Sequence, residues 1–353
     1  MIKLIIDTDP GIGRSSTVDH VQCMHACHEQ ACLKRHMNDH SNHHFVDDSM
    51  AILSAFNSPE VEVIGLTSLF GNVPTTMATN NARYLTHLAG RPEVPVVEGA
   101  HTSIRGVAKE RIADFVHGSD GFGNTIGPTN NAKPADQHSQ SAAEFIVQQA
   151  IKYPGQVTVL ALASLTNLAL ALQLDPCLPQ KLGRVVALGG AFQTSGNVNP
   201  AAEANVFGDP DAANVVFSRM TNCYLLGLDV THSCIMTAEA IEGIKGKGRH
   251  GSFLHSITQF YLDYHRRMYA MDAVYVHDAA ALAAVIAPHL FDWHHGKVLV
   301  VADGPAKGKT ILDECKREWI GHNGWTDLPQ INVALGVQST ALVSWVLDRM
   351  TRG

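Results

Sequence analysis

Short apolar runs of strand length alternate with segments of helical spacing along almost the whole chain, and this alternation restricts the fold more than any other feature. Lys3 to Asp7 reads as a first strand, Ser49–Phe56 as helix, Val61–Phe70 as strand, Thr75–Ala89 as helix, Val94–Glu98 as strand and Ser139–Lys152 as helix. Strand patterns return at Val157–Ala163, Arg184–Leu188 and Tyr224–Asp229. A late pair, Lys297–Ala302 and Ile331–Val337, is expected at a sheet edge before a last helix, Ser339–Met350. Parallel strands need long crossovers, which helices supply, so the pattern predicts an open, mostly parallel sheet with helices on both faces. The chain has 353 residues, 45% of them apolar, with no internal repeat and no composition break that marks a linker, so one α/β domain is expected.

Charge and composition exclude several classes of function. A formal net charge of −7, with no basic patch, argues against nucleic acid as a partner, because binding phosphates calls for clustered positive charge. The longest uncharged stretch, Val157 to Leu174, contains Ser164, Thr166, Asn167 and Gln173. It reads as strand, polar turn and helix start, not as a membrane span. The opening apolar run ends at Asp7, too soon for a secretory signal. The seven cysteines form no C-x-x-C pair, which suggests a reducing compartment, with the cytosol as the expected location.

Polar residues gather where several of the strands run out. Asp7 and Asp9 follow the first, Asn72 the second, Thr166 and Asn167 the run Val157–Ala163, and Asp229 closes another. In open α/β sheets ligands bind beyond the carboxyl ends of the strands, although each residue taken alone is also a reasonable turn or cap. Asp47-Asp48 stands directly before a helical run. Asn197, Glu203-Ala204-Asn205 and then His277-Asp278 follow. Carboxylates, amides and main-chain oxygens in such numbers suit a hard divalent cation such as calcium and not zinc, and a neighbouring histidine can serve as a proton donor. His265 and Tyr269, four apart on a helix, share one face and are candidates to contact a ligand, or simply to line a partly buried surface. The Gly/Asn/Pro-rich stretches Gly118–Lys133 and Ala191–Asn205 are long for connections, and such loops often carry function.

These motifs together resemble the nucleoside hydrolase family. Asp7-Thr8-Asp9-Pro10-Gly11-Ile12 is similar to the family's opening signature, which continues directly into two aspartates. Leu69-Phe70-Gly71-Asn72, Ala163-Ser164-Leu165-Thr166-Asn167, Gly189-Gly190, Gly196-Asn197, Ala202-Glu203-Ala204-Asn205, Asp209-Pro210 and Val276-His277-Asp278 follow in the family's order. The likeness runs from residue 2 to about 346, excepting 13–46. It implies a Rossmann-like α/β fold and hydrolysis of the N-glycosidic bond of ribonucleosides of the uridine or inosine type, with a calcium-bound water. It also implies a small-molecule substrate and a homo-oligomer, dimer or tetramer. By this resemblance Asp9, Asp48, Asp278 and the main-chain oxygen of Thr166 would bind calcium, and Asp9 would act as general base. Asp47, Asn72, Asn197, Glu203, Asn205 and Asp278 would hold the ribose, with Asn72 close to the reacting centre. His277 would protonate the leaving base, and His265 and Tyr269 would lie near it.

Residues 13–46 interrupt the first motif where the family has no insertion. Removing them restores Asp-Pro-Gly-Ile-Asp-Asp-Ser-Met-Ala. This 34-residue segment holds seven of the chain's twenty histidines and three of its seven cysteines. One reading is a zinc-binding insert using Cys23, His25, Cys27, His28, Cys32 and His36, although the spacing fits no common finger. The other is a translated intron, since Gly13 and Val46-Asp47 allow codons with intron-type ends and an in-frame join; this reading also points to a eukaryotic source. Two rival functions follow: a nucleoside- or ribose-binding protein whose turnover the insertion disables, and a zinc-dependent regulatory module.

Overall fold

The computed structural model describes residues 1–10, 45–108 and 140–352. In chain order the elements begin with β1 (Ile2–Thr8), α1 (Phe45–Phe56), β2 (Val61–Ser68), α2 (Thr75–Leu88), β3 (Val96–Glu98), α3 (Ala142–Lys152), β4 (Val157–Ala161), α4 (Thr166–Leu174), α5 (Leu178–Lys181) and β5 (Arg184–Leu188). Next come α6 (Ala204–Gly208), α7 (Pro210–Phe217), β6 (Cys223–Leu226), α8 (Leu228–Thr231), β7 (Ile235–Thr237), α9 (Ala238–Ile244), α10 (Gly251–Tyr269) and β8 (Ala273–Tyr275). The chain closes with α11 (His277–Ile286), β9 (Phe291–Val300), β10 (Thr310–Asp313), β11 (Ile331–Val337) and α12 (Ser339–Met350).

Nine strands form one sheet in the order β10-β9-β11-β6-β5-β4-β1-β2-β3, and β7 pairs with β8 apart from it. The pairs from β3 through β11 are parallel, while β9 runs antiparallel to β11 and to β10. Alternation along each strand feeds two separate cores. Leu4, Ile6, Leu160, Val186 and Leu188 join one, packed with Met50, Leu53, Ile257 and Leu282 from α1, α10 and α11. Ile5, Val159, Val185 and Ala187 join the other, packed with Ile146, Leu168 and Val216 from α3, α4 and α7. Side chains of period two on parallel strands thus bury both faces, as an α/β/α sandwich requires.

The expected mostly parallel sheet is present, with local corrections. Ile331–Val337 is interior, between β9 and β6; the edges are β10 and β3. Thr310–Asp313 covers that side and is only four residues long, too short to leave a readable alternation. The strand expected to end at Asp229 stops at Leu226, and Asp229 sits instead in the helical turn α8, its carboxylate accepting main-chain hydrogen bonds from Phe192 (2.9 Å) and Gln193 (2.6 Å). Helix α1 starts four residues before the expected Ser49. It takes in Phe45 and Val46, the last two residues assigned to the insertion, and places Asp47 and Asp48 in its first turn, where the helix dipole favours negative charge. The rest of the insertion, including Cys23, His25, Cys27, His28, Cys32 and His36, lies outside the described residues, as does Gly118–Lys133.

Strand order reverses direction between β1 and β4: β1-β2-β3 grows one way, β4-β5-β6 the other. At such a switch point neighbouring connections leave on opposite faces and open a crevice at the strands' carboxyl ends. Asp9 leaves β1 there, and Thr166 follows β4.

Candidate active site

The frame of the crevice is a hydrogen-bonded lattice around Asp7 and Asn167. Asp7 lies inside β1, and its Oδ1 accepts from Thr67 Oγ1 (2.6 Å) and from Asn167 Nδ2 (2.8 Å). Asn167 Nδ2 also donates to Ser68 O (3.1 Å), and its Oδ1 accepts from Ala100 N (2.9 Å). One amide therefore joins the ends of β1, β2 and the segment after β3, with both its donor hydrogens and its oxygen engaged inside the protein, which marks Asn167 as a frame residue. Burial raises Asp7 to about 7, against the lowering effect of its two side-chain donors.

Beyond this frame the structure brings Asp9, Asp47, Asp48 and Asp278 together, all fully buried. They arrive from β1 and from the first turns of α1 and α11, so two helix N-termini point their positive ends at one group of carboxylates. Thr8 Oγ1 donates to Asp48 Oδ1, and the main-chain N–H of Asn72 donates to Asp9 Oδ2 at 2.7 Å. Burial pushes Asp48 well above the usual carboxylate range, and the charges of Asp9 and Asp47 push it further. Asp278 is raised by burial and then by Asp47, Asp48 and Asp9. Hydrogen bonds from Thr8 and Asp278 oppose the rise of Asp48.

Four carboxylates buried this close together are costly unless protons or a cation join them. Among the described residues, no N–H or hydroxyl group donates a hydrogen bond to Asp48 Oδ2 or to either oxygen of Asp278. The donor set is all oxygen, which fits calcium and not zinc. Among the described residues no three His, Cys, Asp or Glu side chains are closed into a metal-holding group. The Thr166 hydroxyl is engaged by Asp209 Oδ2 at 2.7 Å, which leaves its main-chain oxygen as the atom it has to offer.

The segment between β5 and α6 supplies a second wall. Glu203 caps α6, its Oε2 accepting from Gly190 N (3.0 Å) and Val206 N (3.1 Å) and its Oε1 from Asn205 N (2.8 Å). Asn205 Nδ2 donates to Leu162 O (2.8 Å) and Leu188 O (3.1 Å), which fixes the amide so that Oδ1 is the atom it presents as an acceptor. Asn197 is half-buried in the same segment, its N–H bonded to Ala202 O at 3.0 Å.

A ring cluster forms the third wall. His265 and Tyr269 do share a face, with ring centroids 5.4 Å apart. His265 is fully buried, its Nδ1 bonded to Tyr261 O (3.0 Å), whereas Tyr269 is 44% exposed. Tyr275 touches both sides of the cluster, 5.4 Å from His265 and 5.5 Å from His277. His277 is buried, with Nδ1 2.7 Å from Thr231 Oγ1 and its ring 5.9 Å from His232. Burial and then the charge of Asp47 push the Tyr261 hydroxyl well above its usual range, so this wall meets the carboxylates. The sequence reading missed Tyr261, Tyr275, Thr231 and His232. Tyr275 had a signal only in its closeness to His277 in sequence, at the end of β8 just before α11 begins.

A family profile for inosine-uridine preferring nucleoside hydrolases matches residues 41–344. The chain belongs to this family. A probable uridine nucleosidase of Arabidopsis thaliana is 43% identical over 349 residues, covering 99% of this chain and 97% of the relative. The inosine-uridine preferring nucleoside hydrolase of Leishmania major is 32% identical over 272 residues, 76% of this chain and 84% of its own. Among solved structures, a plant nucleoside hydrolase superposes with a TM-score of 0.86 at 39% identity, covering 100% of this chain and 99% of that one. A purine-preferring ribonucleoside hydrolase from Gardnerella vaginalis gives 0.81 at 28% identity, with 99% and 98% covered. Nucleoside hydrolases with different base preferences thus share this fold, and the fold by itself does not choose the base. Among the described residues no helix is long and apolar enough to cross a membrane.

Proposed function

We propose that this nucleoside hydrolase cleaves uridine- or inosine-type ribonucleosides to ribose and free base, with calcium held by Asp9, Asp48, Asp278 and the main-chain oxygen of Thr166. The observation that carries the reading is the buried group Asp9, Asp47, Asp48 and Asp278, gathered at the switch point of the sheet where burial and mutual charge raise Asp48 and Asp278. Calcium, when bound, supplies charge that eases deprotonation of a nearby water and orients sugar hydroxyls.

Asp9 takes the proton from the attacking water, its carboxylate held at a fixed angle by the Asn72 N–H. Asp47, Asn72, Asn197, Glu203, Asn205 and Asp278 hold the ribose, Asn205 accepting from a hydroxyl through Oδ1. Cleavage develops positive charge on the sugar, and a carboxylate-lined pocket favours that state over the neutral ground state. His277 protonates the departing base, and Tyr269 and His265 border it. The described cysteines Cys177, Cys223, Cys234 and Cys315 are free thiols, in keeping with a reducing compartment such as the cytosol. The test is base release from a panel of purine and pyrimidine ribonucleosides, with calcium and with a chelator. Calcium-dependent release of uracil or hypoxanthine is expected; ribose binding without release would favour the disabled-enzyme reading instead.

A further inference from the structure

The turn α8 is bonded both to the segment after β5 and to His277. At its start Asp229 accepts from the main-chain N–H groups of Phe192 and Gln193, at 2.9 and 2.6 Å, and so ties down the segment that leads to Glu203. At its end Thr231, wholly buried, places Oγ1 2.7 Å from Nδ1 of His277, a contact made across 46 residues of sequence. The His277 ring also packs against Tyr275 at 5.5 Å and His232 at 5.9 Å.

From this geometry we infer that Thr231 is a positioning residue for the reaction: its hydroxyl holds Nδ1 of His277, fixes the ring's orientation, and makes Nε2 the nitrogen that hands a proton to the leaving base. The inference rests on the proton-donor reading of His277. A hydroxyl can accept from Nδ1–H or donate to a bare Nδ1. When it accepts, the doubly protonated ring passes its Nε2 hydrogen to the base nitrogen and is left neutral, the remaining hydrogen on Nδ1 and still bonded to Thr231. When it donates, it selects the neutral tautomer with hydrogen on Nε2, which orients that nitrogen toward the base; the ring then takes a second proton at Nδ1, the hydroxyl turning to accept it, before the Nε2 hydrogen is passed on and the ring is left neutral. Both arrangements direct exchange to the same nitrogen, and a half-turn of the ring, which would exchange its edges, breaks the bond in either. Second partners of this kind are how proteins set the tautomer and direction of a working imidazole.

The experiment compares Thr231→Val, Thr231→Ala and Thr231→Ser with His277→Ala in the full chain, on uridine, on inosine and on a nitrophenyl riboside. The nitrophenyl group leaves without needing a proton. The Val and Ala variants are expected to lose at least about tenfold in kcat on both nucleosides, the cost of one well-placed hydrogen bond, with KM little changed. Rates on the nitrophenyl riboside should stay within about threefold, and Ser should restore the nucleoside rates. The Ala variant guards against poor packing of Val, and both are compared by melting temperature. If His277→Ala loses nucleoside activity selectively while folded Val and Ala variants keep the parent's ratio of rates, the role of Thr231 is overturned and that of His277 stands. A Ser variant as impaired as Val overturns it too. Equal losses of His277→Ala on all substrates would remove both readings together.

Discussion

The sharpest perturbation of the carboxylate group is a single methyl at Gly71. A Cβ built there lies 1.8 Å from Asp9 Oδ2, 2.8 Å from its Cγ and 3.4 Å from its Cβ. Reaching an allowed separation of about 3.0 Å requires the oxygen to retreat by roughly 1.2 Å. That oxygen accepts the Asn72 N–H at 2.7 Å, so the bond that sets the carboxylate's angle is broken as well. Displacements near one ångström cost on the order of a hundredfold in rate, equivalent to about 2.7 kcal/mol of barrier. Gly71→Ala is therefore expected to lower kcat/KM for base release about a hundredfold and to weaken calcium binding. Gly65→Ala provides the control. Its Cβ meets Phe145 Cζ at 2.4 Å, in the hydrophobic layer on one face of the sheet, so it should cost about 1–3 kcal/mol of stability through overpacking, with kcat nearly unchanged. The assay is steady-state base release with calcium titration, beside denaturant unfolding of both variants. If Gly71→Ala retains activity within about threefold of the parent, Asp9 is not where catalysis requires it.

Three further outcomes follow from the same structure. Asp9→Ala and Asp48→Ala, in the chain lacking 13–46, should each weaken calcium binding and abolish base release, and near-normal turnover in chelator by either would remove the metal assignment. Asp7→Asn should flatten the dependence of stability on pH: the native carboxyl holds its proton to about 7 while the unfolded one releases it near its usual 3.8. Stability then falls as pH rises through that window, and identical slopes for parent and variant in chelator between pH 4 and 7 would contradict this. The chain lacking 13–46 should exceed the full chain in turnover by at least about a hundredfold, because Asp9 and Asp48 then meet across a short turn; equal turnover would make the insertion a tolerated loop.

What could be read in the sequence and what could not divide along a physical line. Asp9, Asp47, Asp48 and Asp278 each lie within two residues of a β-strand end or in the first turn of a helix, so local pattern was enough to place them, and topology then gathered them. The buried strands announced themselves for the same reason, through apolar runs such as residues 159–163 and 185–188 within and just beyond β4 and β5. Thr231 carries no such mark. Its meaning depends on a partner 46 residues away, and locally it is one polar residue in a four-residue turn. The same holds for Asn167, whose three contacts reach 160, 99 and 67 residues along the chain. It reads like its neighbour Thr166, yet its amide nitrogen and oxygen are both bonded within the frame.

The start of α1 shows how far this reasoning extends into the interrupted motif. Val46 is buried against the core directly before Asp47, so whatever residue precedes that aspartate has to be apolar and of similar size for the helix to seat. Without residues 13–46 that residue is Ile12, β-branched like Val46 and larger by one methylene. The packing that delivers Asp47 and Asp48 to Asp9 is therefore satisfied from either side of the interruption. The insertion's effect accordingly falls on the precision of the approach between Asp9 and Asp48, because the helix that carries Asp47 and Asp48 can form with or without it.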